Sequence, residues 1–257
     1  MRALVRVGLC LVLGSWPAGA WAQAGGDVME DDSSSAEEEQ GSGKQEEEEE
    51  DSGDGDSGGG SDEAGIHFGL RLAYGFPMGK VQELPAGSTG SGDLSDGTVG
   101  QIPIWLDLGW QFTPAFMLGA YFSYGFVLPS EDTTDDCDRQ GVTCRLTDLR
   151  LGLQAQLSFS PKQATDPWIG AGVGYEWLTV KAGDYSSTYH GWEMLMLQAG
   201  IDFGGDSGGS TFGPFAAFTF GQFSKYSFKT AAGDDSGSID EKAMHNWLFV
   251  GVRGALK

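Results

Sequence analysis

Hydrophobic and polar side chains alternate along most of the chain from residue 65 onward. The alternation is clearest in residues 102–128, where a Thr-Pro-Ala break separates two such runs. Because successive side chains of an extended strand point to opposite faces, each run predicts a strand with one apolar face and one small, glycine-rich, polar face. The apolar positions are Ile102, Ile104, Leu106, Leu108, Trp110 and Phe112 in the first run, and Phe116, Leu118, Ala120, Phe122, Tyr124, Phe126 and Leu128 in the second.

Seven segments of the chain share this alternation, and an eighth, residues 212–223, is aromatic on both faces and less regular, so we expect eight antiparallel strands. The clearest alternation in each lies within residues 66–76, 102–112, 116–128, 146–159, 168–177, 194–203, 212–223 and 247–256. The odd-numbered connections, of about 25, 17, 10 and 14 residues, exceed the even-numbered ones, of about 3, 7 and 8 residues, as in bacterial outer-membrane barrels.

Strands with one apolar and one small polar face are typical of a wall between lipid and water. At roughly 3.3 Å per residue and a tilt near 45°, eleven residues climb about 25 Å, the height of an outer-membrane apolar band. Aromatic residues fall near the strand ends, as a membrane girdle requires, at Tyr74, Trp110, Tyr124, Tyr175 and Trp177. The sequence therefore predicts an all-β fold, an eight-stranded antiparallel up-and-down transmembrane β-barrel.

A soluble barrel of the lipocalin kind is the main alternative, since it buries an apolar lumen and wets its outside. The pattern along one strand does not say which face is inside. The glycine-rich face favours the membrane barrel, because facing water it would give an unusually uncharged exterior. Facing inward, it predicts a narrow, wet lumen.

The alternation of faces also restricts the length of the turn between the second and third predicted strands. Phe112 and Phe116 both belong to the apolar face. A two-residue turn would place one strand's apolar residues on the wrong side, so we expect an odd number of residues in this connection.

Two segments of different composition precede the predicted barrel, residues 65–257. Residues 1–22 join two arginines to a short apolar run and a small-x-small end, which predicts a signal peptide cleaved after Ala22. Residues 23–64 hold 17 acids and one base, with almost no apolar residues. Such a segment cannot offset the entropy cost of ordering, so we expect a disordered acidic linker. Its charge argues against nucleic acid as a partner.

With these features, residues 65–257 resemble the small eight-stranded outer-membrane barrels of Gram-negative bacteria, the class of OmpX, OmpW and the OmpA membrane domain. The resemblance lies in strand pattern, strand count and loop asymmetry. It implies an integral outer-membrane location with the long loops extracellular and the acidic segment periplasmic. It also implies outer-membrane lipid, lipopolysaccharide and the outer-membrane insertion machinery as partners. Such barrels usually finish with an aromatic residue, whereas here Phe249 is followed by eight other residues.

Charged residues on the small polar face would meet inside the barrel. Opposite charges in a narrow, partly dehydrated interior should pair, because an isolated charge there costs several kcal/mol. One interpretation is a structural plug of salt bridges, which the resemblance also implies. The other is a gated or very narrow pore whose lining charges tune selectivity. The residues of this expected network are His67, Arg71, Asp107, Arg150, Glu176, Asp202 and Arg253.

Cys137 and Cys144 lie seven residues apart in the second predicted external loop. In an oxidising compartment such a pair favours a disulfide over a metal site, since no histidine or further cysteine lies nearby. The acids of the loop could bind calcium, or bridge through it to lipopolysaccharide, and they also fit a solvated loop. They include Asp132, Asp135, Asp136 and Asp138. We expect no cofactor and no dedicated metal centre.

An enzymatic role would require a nucleophile, a histidine and an orienting acid. His190 lies in a segment expected to be a loop, near Ser186, Ser187 and Glu193. No G-x-S-x-G or His-x-Ser signature accompanies these residues, so we do not expect an enzyme.

The sequence leaves three functional hypotheses. The first is an integral outer-membrane barrel with a structural, surface-contact or adhesion role, with an extracellular ligand at its loops. The second is a narrow porin or small-solute channel. The third is a lipid-modifying outer-membrane enzyme.

Overall fold

The computed structural model describes residues 65–81, 92–204, 209–230, 233–239 and 242–256. The signal peptide and the acidic linker expected in residues 1–22 and 23–64 lie outside these ranges.

Within the described ranges the chain is dominated by long strands. The elements are β1 (Gly65–Gly79), α1 (Leu94–Gly97), β2 (Thr98–Thr113), β3 (Phe116–Pro129), α2 (Glu131–Arg139), β4 (Cys144–Ser158), β5 (Thr165–Ala182), β6 (Tyr185–Phe203), β7 (Ser210–Thr230), β8 (Gly233–Ser238) and β9 (Met244–Leu256). Neither helix of the described residues is long and apolar enough to cross a membrane.

Eight of the strands form a closed antiparallel ring. Strands β1 to β7 pair in chain order, and β9 lies between β7 and β1 and closes the ring. The predicted eight-stranded up-and-down barrel is therefore confirmed. The short strand β8 was not predicted; it pairs with the far end of β7, outside the ring.

The faces of the strands follow the predicted alternation. The predicted apolar face of each ring strand points outward, and its large side chains are mostly exposed, for example Leu108 at 60% and Leu153 at 62%. An exterior of this kind is stable in lipid and not in water. Exposed or half-exposed aromatics lie near both ends of the strands, among them Trp110, Phe116 and Phe212 at one end and Tyr124, Phe126, Tyr175 and Trp177 at the other.

The two ends of the barrel differ in their connections. We call the end with short connections the turn end; its links are residues 114–115, 159–164 and 204–209, and Gly65 and Leu256 lie there. The opposite end, the loop end, carries α1, α2 and β8. The predicted asymmetry is present at three of the four loop-end connections.

The fifth connection departs from the prediction. Strands β5 and β6 continue past the barrel and meet at Gly183-Asp184 instead of ending in a loop of about ten residues. Gly183 has φ +58°, a conformation that glycine adopts without strain. The strand signal was missed because polar residues occupy the outer face of this extension.

The hairpin between β2 and β3 also differs from the parity prediction. Its turn holds two residues, because β2 runs to Thr113, which pairs with Phe116. A register shift between Gln111 and Thr113 adds one unpaired residue, Phe112, and a β-bulge of this kind restores the parity. Phe112 and Phe116 therefore both face outward, as expected, but the β-bulge and not an odd-numbered turn places them there.

Candidate functional site

The interior of the barrel is the first candidate site, and it is filled. Large aromatic side chains point inward and are almost completely buried, namely Trp105, Trp168, Trp247, Phe215, Phe223 and Phe249. The expectation of a narrow, wet lumen is therefore wrong.

The inward glycines provide the room for this filling. A Cβ placed on Gly152 would lie 2.5 Å from ring atoms of Tyr121, and one on Gly75 would lie 2.5 Å from the ring of Phe249. The glycines of one strand thus leave space that a large side chain of another strand occupies. Tyr121 is the cross-strand partner of Gly152, and Phe249 is that of Gly75, so each ring lies over a glycine of the neighbouring strand. The sequence shows the glycines but not which rings lie over them.

A first polar layer lies nearest the turn end and centres on Arg253. The guanidinium donates to both carboxylate oxygens of Asp202 and, over 2.7 Å, to Oε1 of Gln156. Its Cζ lies 3.7 Å from the centre of a Trp168 ring, whose Nε1 also donates to Asp202 over 3.1 Å. Each nitrogen of this buried guanidinium therefore has a hydrogen-bond acceptor, and the Trp168 ring adds a cation–π contact.

A second, middle layer centres on Arg71. Its guanidinium pairs with Asp107 and donates to the side-chain oxygens of Gln154 and Gln198. Nε2 of Gln154 donates to the same Asp107 carboxylate over 2.8 Å. The guanidinium also lies 5.0 Å from the ring centre of Trp105. The layer therefore links three strands besides the one that carries Arg71.

A third layer lies towards the loop end and centres on Arg150. This guanidinium contacts three carboxylates, at 2.8 Å from Asp148, 2.9 Å from Glu176 and 2.8 Å from Glu193. All four side chains are about 1% exposed. Such close packing of three acids around one base is stable only because every carboxylate has a donor.

Neighbouring groups add further contacts to this third layer. The hydroxyl of Tyr121 donates to Glu193, and Nε2 of His245 lies 2.7 Å from Glu176. The His245 ring stacks on Phe223 with ring centres 4.0 Å apart. The polar and aromatic contents of the lumen are therefore one continuous packed body.

The structure thus places all seven expected network residues on the inner face. Six lie in the three layers, and His67 is buried on the same face of β1. Sequence reasoning did not select Asp148, Glu193, Tyr121 or His245 for the network. Glu193 precedes a bulge at Met194, which breaks the period of two in β6. The period of two over residues 194–203 predicts that Met194 shares the inner face with Met196, whereas Met194 is 45% exposed and Met196 is fully buried.

The residues weighed for catalysis are not assembled. His190 lies in strand β6, not in a loop, and its Nδ1 is 2.8 Å from the hydroxyl of Tyr175 on the outer face. Glu193 points inward to Arg150, and Ser187 is buried on the inner side. A relay through these side chains would have to pass through the wall.

An apolar cap closes the lumen at the loop end. It is formed by buried residues of the loop-end strands and connections, which pack on one another above the Arg150 layer. They include Leu94, Val127, Leu146, Leu178, Tyr189 and Ile239.

The loop between β3 and β4 is a second candidate site. The predicted disulfide is confirmed between Cys137 and Cys144, whose Cα atoms lie 6.0 Å apart. It fixes α2, which begins after the N-cap Ser130, to the first residue of β4. The acids Asp132, Asp135, Asp136 and Asp138 all lie on α2. Among the described residues no group of three or more potential ligand side chains is placed to hold a metal ion.

Comparisons with known proteins assign the chain to no family. No protein-family model and no curated sequence matches the chain. The solved structures similar to it include OprG of Pseudomonas aeruginosa, 13% identical over 75% of this chain and 97% of that one, with a TM-score of 0.44. Neisserial surface protein A is 12% identical over 74% of this chain and 97% of that one, with a TM-score of 0.43. OprG is described as an outer-membrane protein and the neisserial protein as a surface protein.

Proposed function

We propose that this outer-membrane β-barrel is closed and works through its surface, in a surface-contact or adhesion role. The observation that carries the proposal is the filled lumen. The three polar layers and the aromatic side chains between them occupy the barrel from its turn end to its loop end. The function is therefore sought on the surfaces that the barrel displays.

The narrow-channel alternative is disfavoured by the same contacts. Trp105 and Trp247 are fully buried in the lumen, and Arg71 is held by partners from β2, β4 and β6. Eight strands enclose little more than their own side chains, so a water path would require several of these contacts to break together.

The loop end supplies the material for a contact surface. Strands β5, β6 and β7 extend beyond the lipid-facing region, and β8 adds a fourth strand to the extension. The disulfide holds α2 beside β4. A rigid sheet and a stapled helix present fixed side chains to a partner, which lowers the entropy cost of binding.

The proposed orientation places the loop end outside the cell. Short connections at one end and long ones at the other match the periplasmic and extracellular sides of such barrels. An extracellular ligand at the loops, the insertion machinery and a periplasmic acidic segment remain expectations of this orientation. An enzymatic role is not part of the proposal, because His190 and Glu193 lie on opposite faces of β6.

Two measurements on the full chain test the proposal. In a planar bilayer the refolded barrel should show no discrete conductance steps. In an attachment assay, cells displaying the protein should bind a host-cell or abiotic surface, and replacing residues 131–143 by a Gly-Ser linker should weaken that attachment.

The two readouts separate the hypotheses. Regular single-channel openings would contradict the closed barrel and favour the channel. A silent barrel whose attachment is the same with and without the α2 loop would contradict the role given to that loop. A heat-modifiable shift on a gel would first show that each variant is folded.

A further inference from the structure

The outer face of the loop-end extension differs from the lipid-facing wall below it. Cross-strand pairing places residues of β4 to β8 in three rows on this face. The lowest row runs from Trp177 through His190 and Lys225 to Ser238. The middle row is Thr147, Thr179, Thr188, Ser227 and Ser236. The top row is Arg145, Lys181, Ser186, Lys229 and Asp234.

Base and hydroxyl groups dominate these rows. Arg145, Lys181, Lys225 and Lys229 are all exposed, and none forms an ion pair with another described residue. Asp234, at the outer edge, is the one acid in the three rows. The hydroxyls lie side by side, and the Oγ1 atoms of Thr179 and Thr188 are 3.1 Å apart. We call this face the basic patch.

The patch is unusual for this chain, whose formal net charge is −22. Three arginines of the described residues pair with acids in the lumen. Eight lysines and arginines remain in the described residues, and four of them lie in the patch. A concentration of unpaired cations on one face of an acidic protein points to an anionic ligand.

The position of the patch identifies the kind of anion. The lowest row contains Trp177, and the face continues below it into the half-buried Tyr175 and the exposed Trp192. Four residues of strand separate the lowest and top rows, a rise of about 13 Å along the strand and roughly 10 Å along a membrane normal at a tilt near 40°. The rows therefore begin at the girdle and rise through the depth at which lipid head groups lie.

We propose that the basic patch binds the phosphate groups of membrane lipids in the leaflet at the loop end. Lysine and arginine side chains can extend towards phosphates at either edge of the patch, and the hydroxyls between them donate to phosphate oxygens. The inference does not depend on the surface-contact role, because lipid retention by the patch is measured separately from attachment through the α2 loop.

The test uses the full chain folded in phosphocholine micelles and native mass spectrometry. Dioleoyl phosphatidic acid, a phosphate-bearing lipid, is compared with dioleoyl phosphatidylcholine, whose phosphate is masked by choline. We expect the protein to retain phosphatidic acid at least tenfold more strongly. Each exposed base near an anionic lipid surface contributes about fivefold to binding, so the preference should fall at least tenfold when the four bases become serine.

A matched variant controls for net charge. Substituting the other four described bases outside the lumen by serine removes the same charge elsewhere, and lipid retention should stay within twofold. The patch variant is Arg145→Ser, Lys181→Ser, Lys225→Ser and Lys229→Ser, and the control is Lys80→Ser, Arg139→Ser, Lys162→Ser and Lys242→Ser.

Three outcomes would overturn the proposal. Equal lipid retention by the patch variant and the wild type would show that the patch is not the site. Loss of retention in both quadruple variants would show a general charge effect. Full displacement of the lipid by 10 mM inorganic phosphate would show a free-anion site. If the patch variant does not fold, the pairs Arg145→Ser/Lys181→Ser and Lys225→Ser/Lys229→Ser are tested separately.

Discussion

At the residue scale, Arg150 is the side chain on which most of the interior charge depends. Its guanidinium is the shared partner of three buried carboxylates. Replacing it by methionine keeps much of the volume but leaves those carboxylates without their cation. We expect Arg150→Met to lower the free energy of unfolding by about 3–5 kcal/mol, measured by urea titration in micelles.

Arg145 provides a matched control on the same strand. It is exposed and forms no ion pair with another described residue. Arg145→Met should therefore change the free energy of unfolding by no more than about 0.5 kcal/mol. Equal losses in the two variants would show that the buried network does not stabilise the barrel.

The sequence supports part of this residue-scale picture. A period of two is enough to assign Arg71, Asp107 and Arg150 to the inner face, since each lies within an unbroken alternating run. It could not show which acid meets which base, because the pairing depends on strand register and on contacts between strands that are not neighbours, such as Arg150 with Glu193. It also failed at Glu193 and Met194, because one bulged residue reverses the face on which the next residues of the strand lie.

At the element scale, the disulfide should act locally on α2 and not on the barrel. Closing a loop of about eight residues restricts the unfolded segment by roughly 2–3 kcal/mol. We expect reduction, or Cys137→Ser with Cys144→Ser, to let the helix fray, so that trypsin cleaves after Arg139 at least tenfold faster. The time course of peptide release measures this.

Lys162, in a turn-end connection, provides the internal reference. Cleavage there should be unchanged by reduction, since the disulfide lies at the other end of the barrel. A faster cut at both sites would mean that the disulfide stabilises the whole fold.

The bulge at Phe112 makes a further element-scale prediction. Removing Phe112 deletes the unpaired residue and leaves the remaining pairs of β2 and β3 in register. We therefore expect the deletion variant to fold and to keep its heat-modifiable shift. Deleting Gly109, which has a partner in the ladder, should instead reverse the faces of part of β2 and abolish folding. Failure of both deletions would show that the bulge itself is required.

The boundaries of the strands could be predicted where contact with lipid imposes an alternation of apolar residues. They could not be predicted where a strand continues beyond the lipid-facing region. The extension of β5 and β6 carries threonine, serine and lysine on its outer face, so no apolar alternation marks it. Turn chemistry at Gly183-Asp184 was the one local signal of a hairpin. Strand β8 is built from small and acidic residues of low strand propensity and is held by its pairing to β7.

At the scale of the whole molecule, the charged residues of the barrel fall into two groups, one inside the lumen and one on the outer surface. The interior pairs are buried and close, whereas the basic patch is exposed. Salt screens exposed charges over about 8–10 Å at physiological strength and shorter distances at higher strength, but it acts much less on buried pairs.

We therefore expect the two properties to respond differently to salt. Raising sodium chloride from about 0.05 M to about 0.5 M should leave the urea midpoint of the barrel nearly constant and weaken phosphatidic acid retention severalfold. Parallel titrations at the two salt concentrations measure both. A midpoint that falls as steeply as lipid retention would contradict the assignment of the arginine layers to a dry interior.

The distribution of the interior partners along the chain has a consequence for the order of folding. Arg71 meets Gln198 across 127 positions, and Arg253 meets Gln156 across 97. Contacts of such long sequence separation cannot form until the intervening strands have paired, and the associated loop entropy slows their formation. The barrel must therefore complete its wall while its arginines and carboxylates are still hydrated. Expulsion of that water, as the side chains find their partners, is the last step in the making of the native state.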